Sequence, residues 1–123
     1  MINKNLFKLS IIIPCYNENN TIDLIIKKIE DSLNVYNYIN YEIIIIDDFS
    51  TDGTRDKLKK FENYKNTRVF FHDYNLGKGA AIHTAIQHSS GDLLLIQDAD
   101  LEYDPFDYDK LLLPFFETDA DIV

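Results

Sequence analysis

Residues 91–105 read GDLLLIQDADLEYDP, an apolar run, an acidic cluster and a helix start in immediate succession. Leu93, Leu94, Leu95 and Ile96 show no polar alternation, which predicts a strand covered on both faces. Asp98 and Asp100 follow at once, and in an extended chain their spacing projects both carboxylates to one side. Glu102 has the same parity. Three acids at one strand end repel unless something positive lies between them. Carboxylate oxygens favour hard divalent ions, so Mg2+ or Mn2+ is the expected answer. The competing reading is an acidic loop whose aspartates cap the next helix.

The same grammar repeats upstream. Residues 9–13 form a strand that Pro14 is expected to close, since proline cannot donate to a ladder. A polar loop from Cys15 leads to Asn20 or Thr21 as helix cap. Ile22, Ile25, Ile26, Ile29 and Leu33 then recur at helical spacing, with Lys27, Lys28, Glu30 and Asp31 on the other face. Residues 41–46 repeat the buried-strand signature and run into Asp47 and Asp48. A turn around Asp52 and Gly53 feeds a second helix with Leu58 and Phe61 inward, and residues 68–71 make a third strand. The loop Asn75, Leu76, Gly77, Lys78, Gly79 opens a helix of small residues, Ala80, Ala81, Ala85 and Ile86. All four glycines are expected in loops between strands and helices. Asp104 and Pro105 suit the start of a last helix that Pro114 breaks, and residues 121–123 begin another strand.

Alternation of this kind predicts an α/β fold, a mostly parallel open sheet built from right-handed βαβ units with helices on both faces. Tyr16 to Glu18, Asp47 and Asp48, the Asn75 to Gly79 loop, and Asp98 to Glu102 would then all lie past strand carboxyl ends, the edge where open α/β sheets bind ligands. His72, His83 and His88 read as structural; the last two are five apart and do not share a helix face.

At 123 residues the chain is one domain at most, and 46% hydrophobic content makes it globular. A net charge of −9 argues against nucleic acid. An anionic substrate would need a metal and backbone amides to supply positive field. Cys15 is alone, so no internal disulfide forms, and it reads as a small buried thiol. No apolar run approaches the roughly 20 residues of a transmembrane helix, and a signal peptide's apolar segment is absent near Met1. A soluble, cytoplasmic chain is the expectation.

Two resemblances bear on function. IIIIDDFST from Ile43 is similar to the acidic pocket of response-regulator receiver domains, in which Asp47, Asp48 and Asp98 would hold Mg2+ and Asp98 would accept a phosphoryl group. Against this, a full strand and helix precede the acid pair, and too little chain follows Asp98 to supply the later Ser/Thr and Lys. The other resemblance covers nearly the whole chain. IIIPCYNE from Ile11, EIIIIDDFSTDGT from Glu42, NLGKGAA from Asn75 and LLIQDADLEYDP from Leu94 together resemble family 2 glycosyltransferases, most closely the polyprenyl-phosphate sugar transferases of the dolichyl-phosphate mannose synthase type.

That resemblance implies the nucleotide-sugar-binding half of a GT-A, Rossmann-like fold. Residues 1–123 would be a single domain, the N-terminal part of a longer transferase truncated at its C-terminus. Pro14, Tyr16 and Glu18 would line the pocket for base and ribose, and Asp48 would hydrogen-bond the base. Gly77 and Lys78 would lie near ribose and diphosphate. Asp98 and Asp100 match the DxD motif, with Glu102 as a third metal ligand where relatives often carry Gln. The implied reaction is metal-dependent inverting transfer from a UDP- or GDP-linked sugar, with a lipid phosphate among the acceptors. A fragment that binds donor without turnover is the alternative. Any general base is expected beyond Val123, the full-length form could associate with a membrane, and an exposed apolar surface at residues 111–116 would favour self-association.

Overall fold

Isoleucine builds the centre of the sheet. Ile11, Ile12 and Ile13 of β1 (Leu9–Cys15) and Ile43 to Ile46 of β2 (Tyr41–Asp47) are all at most 1% exposed. Such β-branched runs are stiff at χ1 and pack well on a pleated surface. The structure, a computed structural model, describes residues 7–36, 40–99 and 104–105. Around the two central strands lie β3 (Thr67–Phe71) and β4 (Leu93–Ile96), all parallel, in the order β3-β2-β1-β4.

Strand parity sorts the side chains into two layers. Leu9, Ile11 and Ile13 of β1, Ile43 and Ile45 of β2, and Leu93 and Leu95 of β4 pack with Ile22, Ile25, Ile26, Ile29 and Leu33 of helix α1 (Ile22–Val35). Leu58 of the short helix α2 (Thr54–Lys59) and Phe61 join the same layer. On the other face Ile12, Ile44 and Ile46 meet Ala81 and Ala85 of α3 (Lys78–His88), whose small side chains let that helix lie close to the sheet. This division follows from chain direction. The chain steps outward from β1 to β3 and then returns past β1 to β4, so right-handed crossovers put α1 and α2 on one face and α3 on the other. The reversal opens a crevice at the carboxyl end of β1.

The expected parallel sheet with helices on both faces is therefore present. The order also differs from a receiver domain's 2-1-3-4-5, because β3 here adjoins β2 and β4 adjoins β1. Three local expectations change. Pro14 does not end β1 but lies within it, opposite Ile46. It shares the parity of Ile12, whose carbonyl accepts the Gln97 N–H at 2.8 Å, so proline's missing donor would point past Ile96, where the β1–β4 ladder has ended. Gly79 sits in the first turn of α3 rather than in a loop. Thr21 occupies the N-cap of α1 but makes no side-chain cap bond; its hydroxyl serves the site instead. Gly77 and Gly53 take positive φ, +97° and +99°, as their junctions require.

Side-chain bonds stitch the loops after β1 and β2. Asn17 N–H donates to Ser50 Oγ at 2.9 Å, Thr51 N–H to Asn17 Oδ1 at 2.8 Å, and Asn19 N–H to Asp52 Oδ2 at 3.2 Å. Ser32 Oγ donates to the Pro105 carbonyl at 2.8 Å, anchoring the chain beyond β4 to α1. The expected helix after Pro105, the apolar surface at 111–116 and the strand at 121–123 lie outside the described residues. Among the described residues no helix is long and apolar enough to cross a membrane.

Candidate functional site

A cavity of about 510 Å3 occupies the crevice at the carboxyl ends of the strands. Pro14 and Tyr16 reach it from the end of β1, Glu18 from the turn before α1, Asp48 from the end of β2, Gly77 and Lys78 from the start of α3, and Asp98 from the end of β4. Asn75, Ala81 and Ala99 complete much of the wall. The structure thus brings together the described residues expected to bind a nucleotide sugar, Pro14, Tyr16, Glu18, Asp48, Gly77, Lys78 and Asp98, and leaves Asp47 out. Asp100 and Glu102 lie outside the described residues, so the metal set is represented by Asp98 alone. Among the described residues no three His, Cys, Asp or Glu side chains are grouped to hold an ion.

Asp48 is the most constrained member. Its Oδ1 accepts the Leu76 N–H at 2.9 Å and lies 2.8 Å from His72 Nδ1, while Oδ2 accepts the Gly77 N–H at 2.8 Å. Burial alone would raise its pKa, but the His72, Leu76 and Gly77 bonds outweigh burial and hold the carboxyl below its ordinary value. Gly77 is also the N-cap of α3, so Asp48 places negative charge at that helix's positive end. Asn75 Nδ2 donates to the Asp48 carbonyl at 3.3 Å, closing the loop onto the strand end.

Asp47, next in sequence, does something else. Opposite parity turns it away from the cavity into full burial, where Oδ2 lies 3.3 Å from Arg55 Nη1 and accepts the Ser50 N–H at 3.1 Å. Arg55 in turn stacks over Phe49 and Phe71, 5.4 and 4.9 Å from the ring centroids, and donates to the His72 carbonyl at 3.0 Å. The receiver pocket shared by Asp47, Asp48 and Asp98 therefore does not form.

Lys78 forms an ion pair with Asp98 across the cavity mouth. Thr21 Oγ1 lies 2.7 Å from the Ala99 carbonyl and 2.9 Å from Glu18 Oε2, joining the segment after β4 to the start of α1. Cys15 is buried, and burial together with the negative charge of Asp47 pushes its thiol pKa far up, which suits the expected inert thiol. His72 is the residue that sequence reasoning undervalued. Its position directly after a strand's carboxyl end is the available signal, and spacing from the other histidines is irrelevant to it.

A parallel sheet whose reversed strand order opens a polar cavity at the carboxyl edge defines an α/β domain of the crevice-binding class. The chain belongs to glycosyl transferase family 2, whose model matches residues 10–123. It is 31% identical over 105 residues to the dolichol-phosphate mannosyltransferase of Pyrococcus furiosus, covering 85% of this chain and 29% of that protein. Among solved structures, S. aureus TarS 1-349 in complex with UDP-GlcNAc superposes with a TM-score of 0.71 at 27% identity, over 89% of this chain and 31% of that one. The mannosyltransferase PcManGT of Pyrobaculum calidifontis, in complex with GDP-Man and Mn2+, gives 0.60 at 28% identity, over 80% and 29%. The chain thus spans about a third of the length of these relatives.

Proposed function

We propose that residues 1–123 form the donor-binding unit of a glycosyltransferase that moves a sugar from a UDP- or GDP-linked donor, with inversion and with a divalent cation, to a lipid phosphate. The observation that carries this reading is the convergence of Pro14, Tyr16, Glu18, Asp48, Gly77, Lys78 and Asp98, from four separate chain segments, on one cavity. Family membership and the nucleotide-sugar complexes of similar proteins support it.

Roles follow from the chemistry of the walls. Tyr16, nearly half exposed at the rim, offers a ring face to a base, and Pro14 and Glu18 line the same cavity, Glu18 with a carboxylate for ribose hydroxyls. Asp48, kept ionised, accepts from a base N–H. Lys78 brings positive charge to a wall whose other charged residues are Glu18, Asp48 and Asp98. A site this acidic would repel a diphosphate without further positive charge. Asp98, with Asp100 and Glu102 beyond it in sequence, offers the hard oxygen donors that Mg2+ or Mn2+ prefers, so these residues fit such an ion. When bound, it would neutralise charge on the departing diphosphate. A phosphate acceptor is already anionic and needs little help from a base.

Calorimetric titration with UDP-GlcNAc and GDP-mannose, with and without Mn2+, tests the proposal. Saturable, Mn2+-dependent binding to one of them, lost in Asp98→Ala and Asp100→Ala, is expected. Binding unaffected by both substitutions, or no binding of either nucleotide sugar, would refute it.

A further inference from the structure

We propose that His72 is a positioning residue for nucleobase recognition, acting through Asp48, and that Thr84 locks it in place. This rests on the reading of Asp48 as the carboxylate that faces the base. A carboxylate has about four lone-pair sites. His72 Nδ1 and the Leu76 N–H take two on Oδ1, and the Gly77 N–H takes one on Oδ2. Among the hydrogen bonds of the described residues, one site on Oδ2 remains for a ligand at the cavity Asp48 lines. Because the carboxylate can only accept, that site selects a base edge presenting an N–H.

His72 decides where the remaining site points. The two main-chain donors both come from the Leu76–Gly77 turn, one to each oxygen, so they grip the carboxylate from a single side. His72 supplies a third bond from outside that turn, at the end of β3. Its backbone and ring are both held: the main-chain N–H donates to the Asp47 carbonyl at 2.9 Å, the main-chain carbonyl accepts from Arg55 at 3.0 Å, and ring Nε2 lies 2.9 Å from Thr84 Oγ1. An ionised Asp48 requires the proton on Nδ1. With Nδ1 carrying the proton, Nε2 is an acceptor, and the Thr84 hydroxyl, which also lies 3.0 Å from the Ala80 carbonyl, can donate to it.

Calorimetric titrations of the chain with UDP, GDP and pyrophosphate, each with Mn2+, test this. His72→Phe should weaken the preferred nucleotide about tenfold and Thr84→Val about threefold, with pyrophosphate affinity unchanged in both. His72→Asn, whose amide nitrogen falls near the Nδ1 position, should recover most of the loss. In an Asp48→Asn background, His72→Phe should add nothing further. Wild-type nucleotide affinity in His72→Phe, an equal loss of pyrophosphate, or additivity with Asp48→Asn would overturn the inference. Should His72→Phe not fold, His72→Asn and Thr84→Val decide alone: wild-type nucleotide affinity in Thr84→Val would overturn it. If Asp48→Asn itself binds nucleotide normally, the donor-site reading fails and takes this inference with it; if Asp48→Asn is weak while His72→Phe is normal, only this inference fails.

Discussion

Replacing Asp48 with asparagine changes almost nothing in shape and a good deal in energy. The carboxylate now accepts three N–H donors, from His72, Leu76 and Gly77, at 2.8 to 2.9 Å. An asparagine oxygen can serve two of them, but its NH2 must then face the third, and that donor is left without a partner. One orphaned, partly buried N–H costs about 1–3 kcal/mol. Losing the charge at the start of α3 removes about 0.3–1 kcal/mol more, and the two surviving bonds are no longer charge-assisted. Water entering from the adjoining cavity offsets part of this, so a net loss of about 2–3 kcal/mol at pH 7 is expected. The pH dependence has a definite sign. Asp48 is held below its ordinary pKa, so its contribution is complete above the unfolded value of about 4 and fades as pH falls through the lower folded value. Urea denaturation followed by circular dichroism should therefore show a midpoint drop of about 1 M or more for Asp48→Asn at neutral pH, shrinking below about pH 4. Equal midpoints at pH 7, or a gap that stays constant into acid, would refute the role assigned to this carboxylate.

Three further outcomes follow from named contacts. Gly91→Ala should destabilise by about 1–3 kcal/mol in thermal unfolding, because an added methyl would lie 2.7 Å from the Ser10 backbone nitrogen, which cannot swing aside; an unchanged melting temperature would contradict the close approach of β4 to β1. Arg55→Met should cost about 3 kcal/mol by leaving Asp47 buried with the Ser50 N–H as its support among the described contacts, and Asp47→Asn in the same chain should recover part of that loss. Lys78→Met should weaken UDP and pyrophosphate alike, several-fold by calorimetry, in contrast to the base-selective effect expected at His72; a loss confined to UDP would move Lys78 away from the diphosphate.

Strand and helix identity were legible because the strands are dense β-branched runs and α1 keeps a clean helical period. The polar loops were legible for a related reason, since acids and glycines cluster where those runs stop. Three features were not. Pro14 continues its strand because the neighbouring ladder is shorter, and that depends on register across the sheet, which a single segment does not encode. Asp47 and Asp48 look equivalent in the sequence, yet their parity sends one to Arg55 beneath the sheet edge and the other to the cavity. His72 acquires its partner only when β3 docks beside β2 and α3 brings Thr84 to the ring's far side, contacts made across 24 and 12 residues of chain. Of the acids expected from the sequence to hold a metal, the structure describes Asp98 and pairs it with Lys78.

The most direct test is a two-dimensional 1H–15N NMR titration of the chain with UDP or GDP in saturating Mg2+. Saturable shifts concentrated at the amides of Tyr16, Asp48, Leu76, Gly77, Lys78 and Asp98 are the predicted result. Shifts gathered instead around the smaller cavity of about 310 Å3 at Lys8, Glu42 and Arg68, or no saturable shift with either nucleotide, would contradict a donor site at the carboxyl edge of this sheet.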